Sequence, residues 1–190
     1  MQRTKSKILS ILLSLVMLLS LLPTTALAAT YPESVRVYNK SGKLIGLSNG
    51  ECLTANDAKE ATNYTGGAFV ARYAGGTLYL NGYQVDVTNG KIFANGDLNI
   101  EVVSNSSFTT SVSTTSDNLY GIQADSGTLN ISGPGTLTVT AKGKGNVYGI
   151  YADKGVTISA PLDVKVGKNN ATENGPVYGI YTKSGAISLR

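Results

Sequence analysis

The sequence predicts an all-β fold, a right-handed parallel β-helix with three short strands and about 28–30 residues in each coil. The first observation is a tandem repeat. Residues 119–127, 147–155 and 177–185 share a Tyr-Gly-Ile core, and residues 90–97 are a weaker copy. The second is that short segments of alternating apolar and polar residues follow the copies, with turn-forming residues in the gaps. An antiparallel β-sandwich is the rival architecture, but near-identical repeats favour the β-helix.

Residues 1–28 have the organisation of a secretory signal peptide. Three basic residues precede an apolar run over residues 8–22, and Ala-Leu-Ala at 26–28 is a small-residue cleavage site. The apolar run is too short to span a bilayer comfortably. We therefore expect cleavage after Ala28, a secreted or cell-surface protein, and no membrane contact once the signal is removed.

The amino-acid composition excludes several kinds of binding and catalysis. The chain has 16 Lys and Arg against 12 Asp and Glu, but three of the basic residues lie in the signal. The mature chain is therefore nearly neutral, which makes nucleic acid a poor partner. There is no His, which removes Ser-His-Asp and Cys-His catalysis and His-ligated zinc. Cys52 is alone, and we expect a buried apolar residue there rather than a reactive thiol or an intermolecular link. No enzyme is predicted.

Residues 29–76 do not fit the repeat and predict a β-rich N-terminal cap. An end piece of this kind is needed because an open coil exposes apolar core and unpaired backbone. The predicted elements are two hairpins, 34–38 with 44–47 and 69–73 with 77–80, and a short helix over 54–61.

We assign residues 77–190 to the β-helix. Counterparts on successive coils stack about 4.8 Å apart, which predicts two internal ladders: Ile92, Ile122, Ile150 and Ile180, and beside them Ala94, Ala124, Ala152 and Thr182. Residues 104–118 and 169–176 are predicted as loops. The chain stops at Arg190, after the second strand of a coil. This predicts either a truncated chain from a longer repeat protein or an open end that self-associates end to end.

The two-residue period of a strand places Ile150 inside and Tyr151 outside. The same outward position on successive coils holds Phe93, Gln123, Tyr151 and Tyr181. These residues are the candidate carbohydrate-binding platform. The alternative is that the rings only stack on one another and shield the sheet. The tyrosines two residues before the isoleucines share their parity and are predicted to be structural: Tyr120, Tyr148 and Tyr178.

Three carboxylates fall at or near the same turn of successive coils: Asp97, Asp125 and Asp153. Stacked about 5 Å apart, they would repel one another unless a cation lay between them. This arrangement predicts a calcium site. The alternative is that each is an ordinary turn Asp that accepts backbone hydrogen bonds.

The Tyr-Gly-Ile-Tyr-Ala-Asp-x-Gly copies, with the lead-in over residues 69–81, resemble the β-helical repeats of secreted carbohydrate-binding-domain proteins. These are common in anaerobic Gram-positive bacteria, and the clostridial polygalacturonate-binding β-helix family is the nearest described relative. The resemblance covers roughly residues 69–190. It implies binding of acidic plant polysaccharide, calcium bound to the helix and no catalysis.

Two functions follow from these observations. The first is a secreted, non-catalytic β-helix module that binds an acidic plant or cell-wall polysaccharide, with calcium as the expected cofactor. The alternative is a structural or adhesive repeat segment of a bacterial surface protein that binds no small ligand. Both functions need the same repeat, so only the outward residues can distinguish one function from the other.

Overall fold

The computed structural model describes residues 29–60, 69–112, 117–170 and 172–190, and it confirms the all-β parallel β-helix. The regular elements in these ranges are 18 strands. Within the same ranges, no helix has the length and apolarity needed to span a bilayer. The predicted signal peptide lies outside the described residues.

An antiparallel cap covers the first coil. Its strands are β1 (Ser34–Tyr38), β2 (Leu44–Ser48), β3 (Cys52–Thr54), β4 (Lys59–Glu60) and β5 (Phe69–Ala74). β1 pairs with β2, and β3 pairs with both β4 and β5. Val35, Val37 and Leu47 of the first hairpin are completely buried, so the cap extends the core of the coils. Cys52 is buried as predicted, and burial raises the pKa of its thiol.

The coils stack into three parallel sheets. Sheet A contains β8 (Ile92–Asn95), β11 (Leu119–Asp125), β14 (Val147–Ala152) and β17 (Val177–Thr182). Sheet B contains β6 (Thr77–Asn81), β9 (Leu98–Ser104), β12 (Thr128–Ser132), β15 (Gly155–Ile158) and β18 (Ile187–Leu189). Sheet C contains β7 (Gln84–Thr88), β10 (Ser106–Ser111), β13 (Leu137–Gly143) and β16 (Leu162–Lys168). The cap closes two of these sheets, because β1 pairs with β8 and β5 pairs with β6.

The two internal ladders are confirmed. The isoleucines pair with one another across β8, β11, β14 and β17, and so do the small residues two positions later. Ile92, Ile122 and Ile150 are completely buried. Burying an aliphatic side chain of this size contributes about 1.5–3 kcal/mol, so these ladders hold successive coils together.

The predicted helix over 54–61 is wrong for the residues described. Thr54 ends β3, a turn follows, and Lys59 begins β4, whereas Ala61 lies outside the described residues. The backbone at Asp57 is left-handed, with φ of 62°. Its carboxylate accepts hydrogen bonds from the backbone N–H groups of Lys40 and Ser41 at 2.9 and 3.2 Å. This contact with the first hairpin stabilises a turn that the local alanine-rich sequence does not signal.

The predicted loop over 104–118 contains a strand. β10 pairs in parallel with β7 on one side and β13 on the other. Its buried positions are Ser106, Phe108 and Thr110, of which only Phe108 is apolar. Buried and exposed positions alternate along this strand, but two of its three inward residues are polar. The sequence therefore lacks the alternation of apolar and polar residues by which a strand is recognised. In the loop over 169–176, Glu173 accepts a hydrogen bond from the backbone N–H of Asn169 at 3.1 Å, and Ala171 lies outside the described residues.

Candidate functional site

The predicted platform residues form one row on the outer face of sheet A. Gln123 pairs with Phe93 on the preceding coil and with Tyr151 on the next, and Tyr151 pairs with Tyr181. The three aromatic side chains are partly exposed, but Gln123 is only 8% exposed. We call these four residues the mixed row. The four residues pair across successive coils as predicted, but Gln123 has no ring and separates Phe93 from Tyr151.

A second column of tyrosines lies beside the mixed row. Their predicted structural role stays a prediction, but the inward position that their parity indicated is wrong. The alternation of the isoleucines assigned Tyr120, Tyr148 and Tyr178 to the interior. Instead their rings pack against Tyr151 and Tyr181, on the outer face. We call these three residues the tyrosine column. Tyr178 is 38% exposed and the other two are partly exposed.

A glycine between the tyrosine and the isoleucine shifts the alternation. In β14, Tyr148 is partly exposed, both Gly149 and Ile150 are buried, and Tyr151 is again partly exposed, so two consecutive residues face inward. A Cβ on Gly121 would lie 2.5 Å from the carbonyl oxygen of Gly149 on the next coil. Glycine inside a strand marks bulges and close backbone approach. The glycine that every Tyr-Gly-Ile copy carries was therefore the signal that the tyrosines face outward.

The rings pack in a herringbone pattern. Within the tyrosine column, ring centroids lie 5.0 Å apart between Tyr120 and Tyr148 and 5.5 Å apart between Tyr148 and Tyr178, with nearly parallel planes. Tyr151 and Tyr181 stack at 5.6 Å. Between the two sets three contacts are edge-to-face, as at 5.6 Å and 81° for Tyr148 and Tyr151, and the contact of Tyr178 with Tyr181 is tilted at 48°. Both arrangements are favourable for aromatic quadrupoles and contribute about 0.5–1.5 kcal/mol for each pair.

One end of these rings carries positive charge. The Arg36 guanidinium, from cap strand β1, lies 4.2 Å from the ring centroid of Phe93. The Lys91 ammonium lies 4.9 Å from the Phe93 centroid and 5.1 Å from that of Tyr120, and it donates a hydrogen bond to Oε1 of Gln123. Burial, followed by the nearby Arg36 charge, lowers the pKa of Lys91. A cavity of about 110 Å³ adjoins this end and is lined partly by Lys91 and Tyr120.

The ring of Tyr151 is tied to a turn on its own coil. Its hydroxyl donates a hydrogen bond to Oδ1 of Asp153 at 2.8 Å, and Oδ2 accepts one from the backbone N–H of Ser126, also at 2.8 Å. Burial, and then the carboxylate, raises the pKa of Tyr151 well above that of a free phenol. The same hydroxyl, together with the Ser126 N–H, lowers the pKa of Asp153. Asp153 thus fixes the orientation of a ring on the outer face.

The three predicted calcium ligands do not occupy one row. Asp125 pairs with Asn95, and Asp153 lies level with Asp125 because it follows the residue that pairs with Ala124. Asp97 lies two residues beyond Asn95, at the start of sheet B. Within the described ranges, no group of three or more His, Cys, Asp or Glu side chains is placed to hold a metal ion.

The carboxylate of Asp97 is already used in the turn. It accepts hydrogen bonds from the backbone N–H and hydroxyl of Thr128 at 2.8 and 2.9 Å and from the backbone N–H of Thr30 at 3.0 Å. Burial raises the pKa of Asp97, but these hydrogen bonds outweigh it and leave the pKa below its ordinary value. Asp97 and Asp153 therefore accept hydrogen bonds from turn residues, as the alternative interpretation expects, and calcium binding stays a prediction.

No family model matches the chain, and no curated protein and no solved structure is significantly similar to it. The exposed side chains of sheet A are therefore the basis on which a function is inferred. We use the name aromatic surface for the rings of the tyrosine column together with those of Phe93, Tyr151 and Tyr181.

Proposed function

We propose that the chain is a non-catalytic polysaccharide-binding module and that its ligand lies on the aromatic surface. The observation that supports this best is five tyrosine rings in mutual contact on one outer face, each at least partly exposed, with the Lys91 ammonium between them and the ring of Phe93. Contiguous apolar surface of this kind is uncommon on a monomer unless it binds something. The other described outer faces of the coils carry mostly Ser, Thr, Asn, Asp and Lys.

Tyrosine suits a sugar ligand in two ways. Its ring can pack against the apolar C–H face of a pyranose, and its hydroxyl can exchange hydrogen bonds with sugar hydroxyls. Both groups are held by rigid strands, so little side-chain entropy is lost on binding. The hydroxyl of Tyr120, for example, accepts a hydrogen bond from the Asn118 side-chain amide at 3.1 Å.

The positive end of the aromatic surface supports an acidic ligand. Arg36 and Lys91 lie next to the rings, and Lys91 is partly withdrawn from solvent. Fixed charges at the edge of a binding surface attract ligands of opposite sign and set their orientation. We therefore propose a glycan that contains uronic acid units, whose carboxylates are attracted to this end.

The second candidate is a structural or adhesive repeat with no glycan ligand. The stacking of the rings favours it, because each tyrosine already contacts its neighbours on adjacent coils. In that case the aromatic surface stabilises the coil stack as cross-strand pairs do in any sheet.

Retention on immobilised polysaccharides separates the two candidates. The wild-type protein is compared with Tyr148→Ala/Tyr178→Ala and with a control on sheet C, Thr138→Ala/Thr140→Ala, on polygalacturonate, cellulose and starch. We expect the tyrosine variant to lose about tenfold or more in retention, since aromatic anchors carry most of the binding energy of such surfaces. The control should behave as wild type. Unchanged retention of the tyrosine variant would remove the proposed surface, and no retention of folded wild type would favour the structural role.

The remaining expectations are tested with the same material. Repeating the retention with calcium and with chelator tests the calcium prediction. N-terminal sequencing of protein from the culture medium tests secretion and cleavage after Ala28. Sedimentation over a range of protein concentrations tests end-to-end self-association.

A further inference from the structure

The rings repeat at the spacing of the coils. Members of the tyrosine column are register partners on successive parallel strands, so the column runs along the axis of the β-helix. Its centroid spacings are 5.0 and 5.5 Å, and that of Tyr151 and Tyr181 is 5.6 Å. These values follow the separation of about 4.8 Å between neighbouring strands. A ligand lying along the axis therefore meets one equivalent aromatic contact for each coil that it passes.

Each ring covers only part of its neighbour. Parallel rings in van der Waals contact are about 3.5 Å apart. The observed centroid spacings are larger, so no ring is in full face-to-face contact with its neighbour. The tyrosine rings are also partly exposed, which leaves part of each ring open to a ligand.

We propose that the aromatic surface selects extended, equatorially linked pyranose chains that lie along the β-helix axis with one sugar per coil. This inference rests on the proposed function and narrows its ligand class. In an equatorially linked chain, each sugar advances by about the length of one ring, close to the coil spacing, and the chain forms a flat ribbon. Two axial linkage bonds on each sugar give a buckled chain whose ring planes are inclined to its axis, so successive sugars do not present flat faces along the line of the tyrosines.

The described surface offers three successive levels. The first has Tyr120, the second has Tyr148 and Tyr151, and the third has Tyr178 and Tyr181. Before the first level, the cationic groups of Lys91 and Arg36 lie against the rings. Affinity should therefore increase with chain length up to three sugars and change little beyond that, with each added sugar tightening Kd by about three- to tenfold.

Two acidic oligosaccharides make a matched test. Oligomers of β-1,4-linked mannuronate and of α-1,4-linked guluronate carry the same charge per sugar, but the first is equatorially linked and the second axially. Binding of the wild-type protein to both, at two to six sugars and with chelator present, is measured by titration calorimetry. We expect mannuronate oligomers to bind at least about tenfold more tightly, with Kd improving up to the trimer.

Each result has a separate meaning. Equal binding of the two series, tighter binding of guluronate, or affinity independent of length would overturn the linkage proposal while leaving polysaccharide binding intact. Polygalacturonate is axially linked, so retention on it without binding to mannuronate oligomers would also overturn the linkage proposal and leave polysaccharide binding intact. If a folded sample binds no glycan in either experiment, the proposed function itself fails. Tyr178→Ala adds an internal check, because loss of a ring at the third level should weaken the trimer, which needs all three levels, more than the dimer, which can bind to the first two.

Discussion

Sheets A and C have the same backbone architecture and very different outer faces. Both are parallel stacks whose inward residues are buried, as Ile150 is in sheet A and Val139 in sheet C. On sheet C the alternation continues along all seven residues of β13, whose outward residues are Thr138, Thr140 and Lys142. On sheet A a glycine shifts the alternation, and most of the outward residues are aromatic. The inward residues therefore specify the coil, whereas the outward residues are free to specify a function.

The largest effect should come from the interior. Ile150 is completely buried in its ladder, and Ile150→Ala removes its side chain with little room for the neighbours to collapse. We expect the free energy of unfolding to fall by about 2–5 kcal/mol. Thr140→Ala, at an outward position of sheet C, should change it by less than about 0.5 kcal/mol. Urea unfolding of both variants measures the difference, and a cost below 1 kcal/mol for Ile150→Ala would contradict the ladder.

The glycine shift offers a matched pair of variants. A Cβ on Gly149 would clash with Cγ1 of Val164 and lie 2.7 Å from the carbonyl oxygen of Gly179. A Cβ on Gly179 would meet only Val164, at an ordinary 3.9 Å. Gly149→Ala should therefore cost about 1–3 kcal/mol, and Gly179→Ala should be nearly neutral. Equal costs for the two variants in urea unfolding would contradict this account of the shift.

The same two glycine variants also test what directs Tyr148 to the outer face. If Gly149 is what directs Tyr148 outward, Gly149→Ala should also weaken the near-ultraviolet circular dichroism of the stacked tyrosines. Gly179→Ala should leave that signal as in wild type. A normal tyrosine signal in a destabilised Gly149→Ala protein would mean that the rings keep their positions without the glycine.

Sequence patterns were sufficient where one periodicity continued and insufficient where a distant contact intervened. The isoleucine ladder could be predicted because period and alternation agree on every coil. The tyrosine column could not be predicted from alternation, because the shift at Gly149 depends on Val164 and Gly179 of other strands. The turn at Asp57 likewise depends on the first hairpin.

Which of the predicted calcium ligands lie level on successive coils could not be predicted from the sequence either, because the register at a turn can differ by one or two residues. Asp97 and Asp125 have similar sequence surroundings, but strand register assigns Asp97 to a position opposite Thr128 and Asp125 to one opposite Asn95. A repeat seen in the sequence fixes the order of the coils. It does not fix which side chains are level at a turn, because turn length changes from coil to coil.

The smallest effect should come from the carboxylate that orients a ring. Asp153→Asn keeps the size of the side chain but removes the charge that accepts the Tyr151 hydroxyl and the Ser126 N–H. Because Asp153 is partly exposed, we expect a loss of about 1 kcal/mol or less at neutral pH. Asp163, which pairs with Lys165 on the outer face of sheet C, is the matched position, and Asp163→Asn should have no measurable effect.

The pH dependence distinguishes this contribution from simple packing. The pKa of Asp153 is lower in the folded state than in the unfolded chain, so its contribution is present above about pH 5 and is lost as pH falls through the folded pKa. The pKa of Tyr151 is raised on folding, so its contribution is present below about pH 10 and is lost as pH rises through the folded pKa. The stability difference between wild type and Asp153→Asn should therefore be greatest near neutrality and vanish in acid. A difference that is constant from pH 3 to pH 8 would show that the charge has no part in holding the ring.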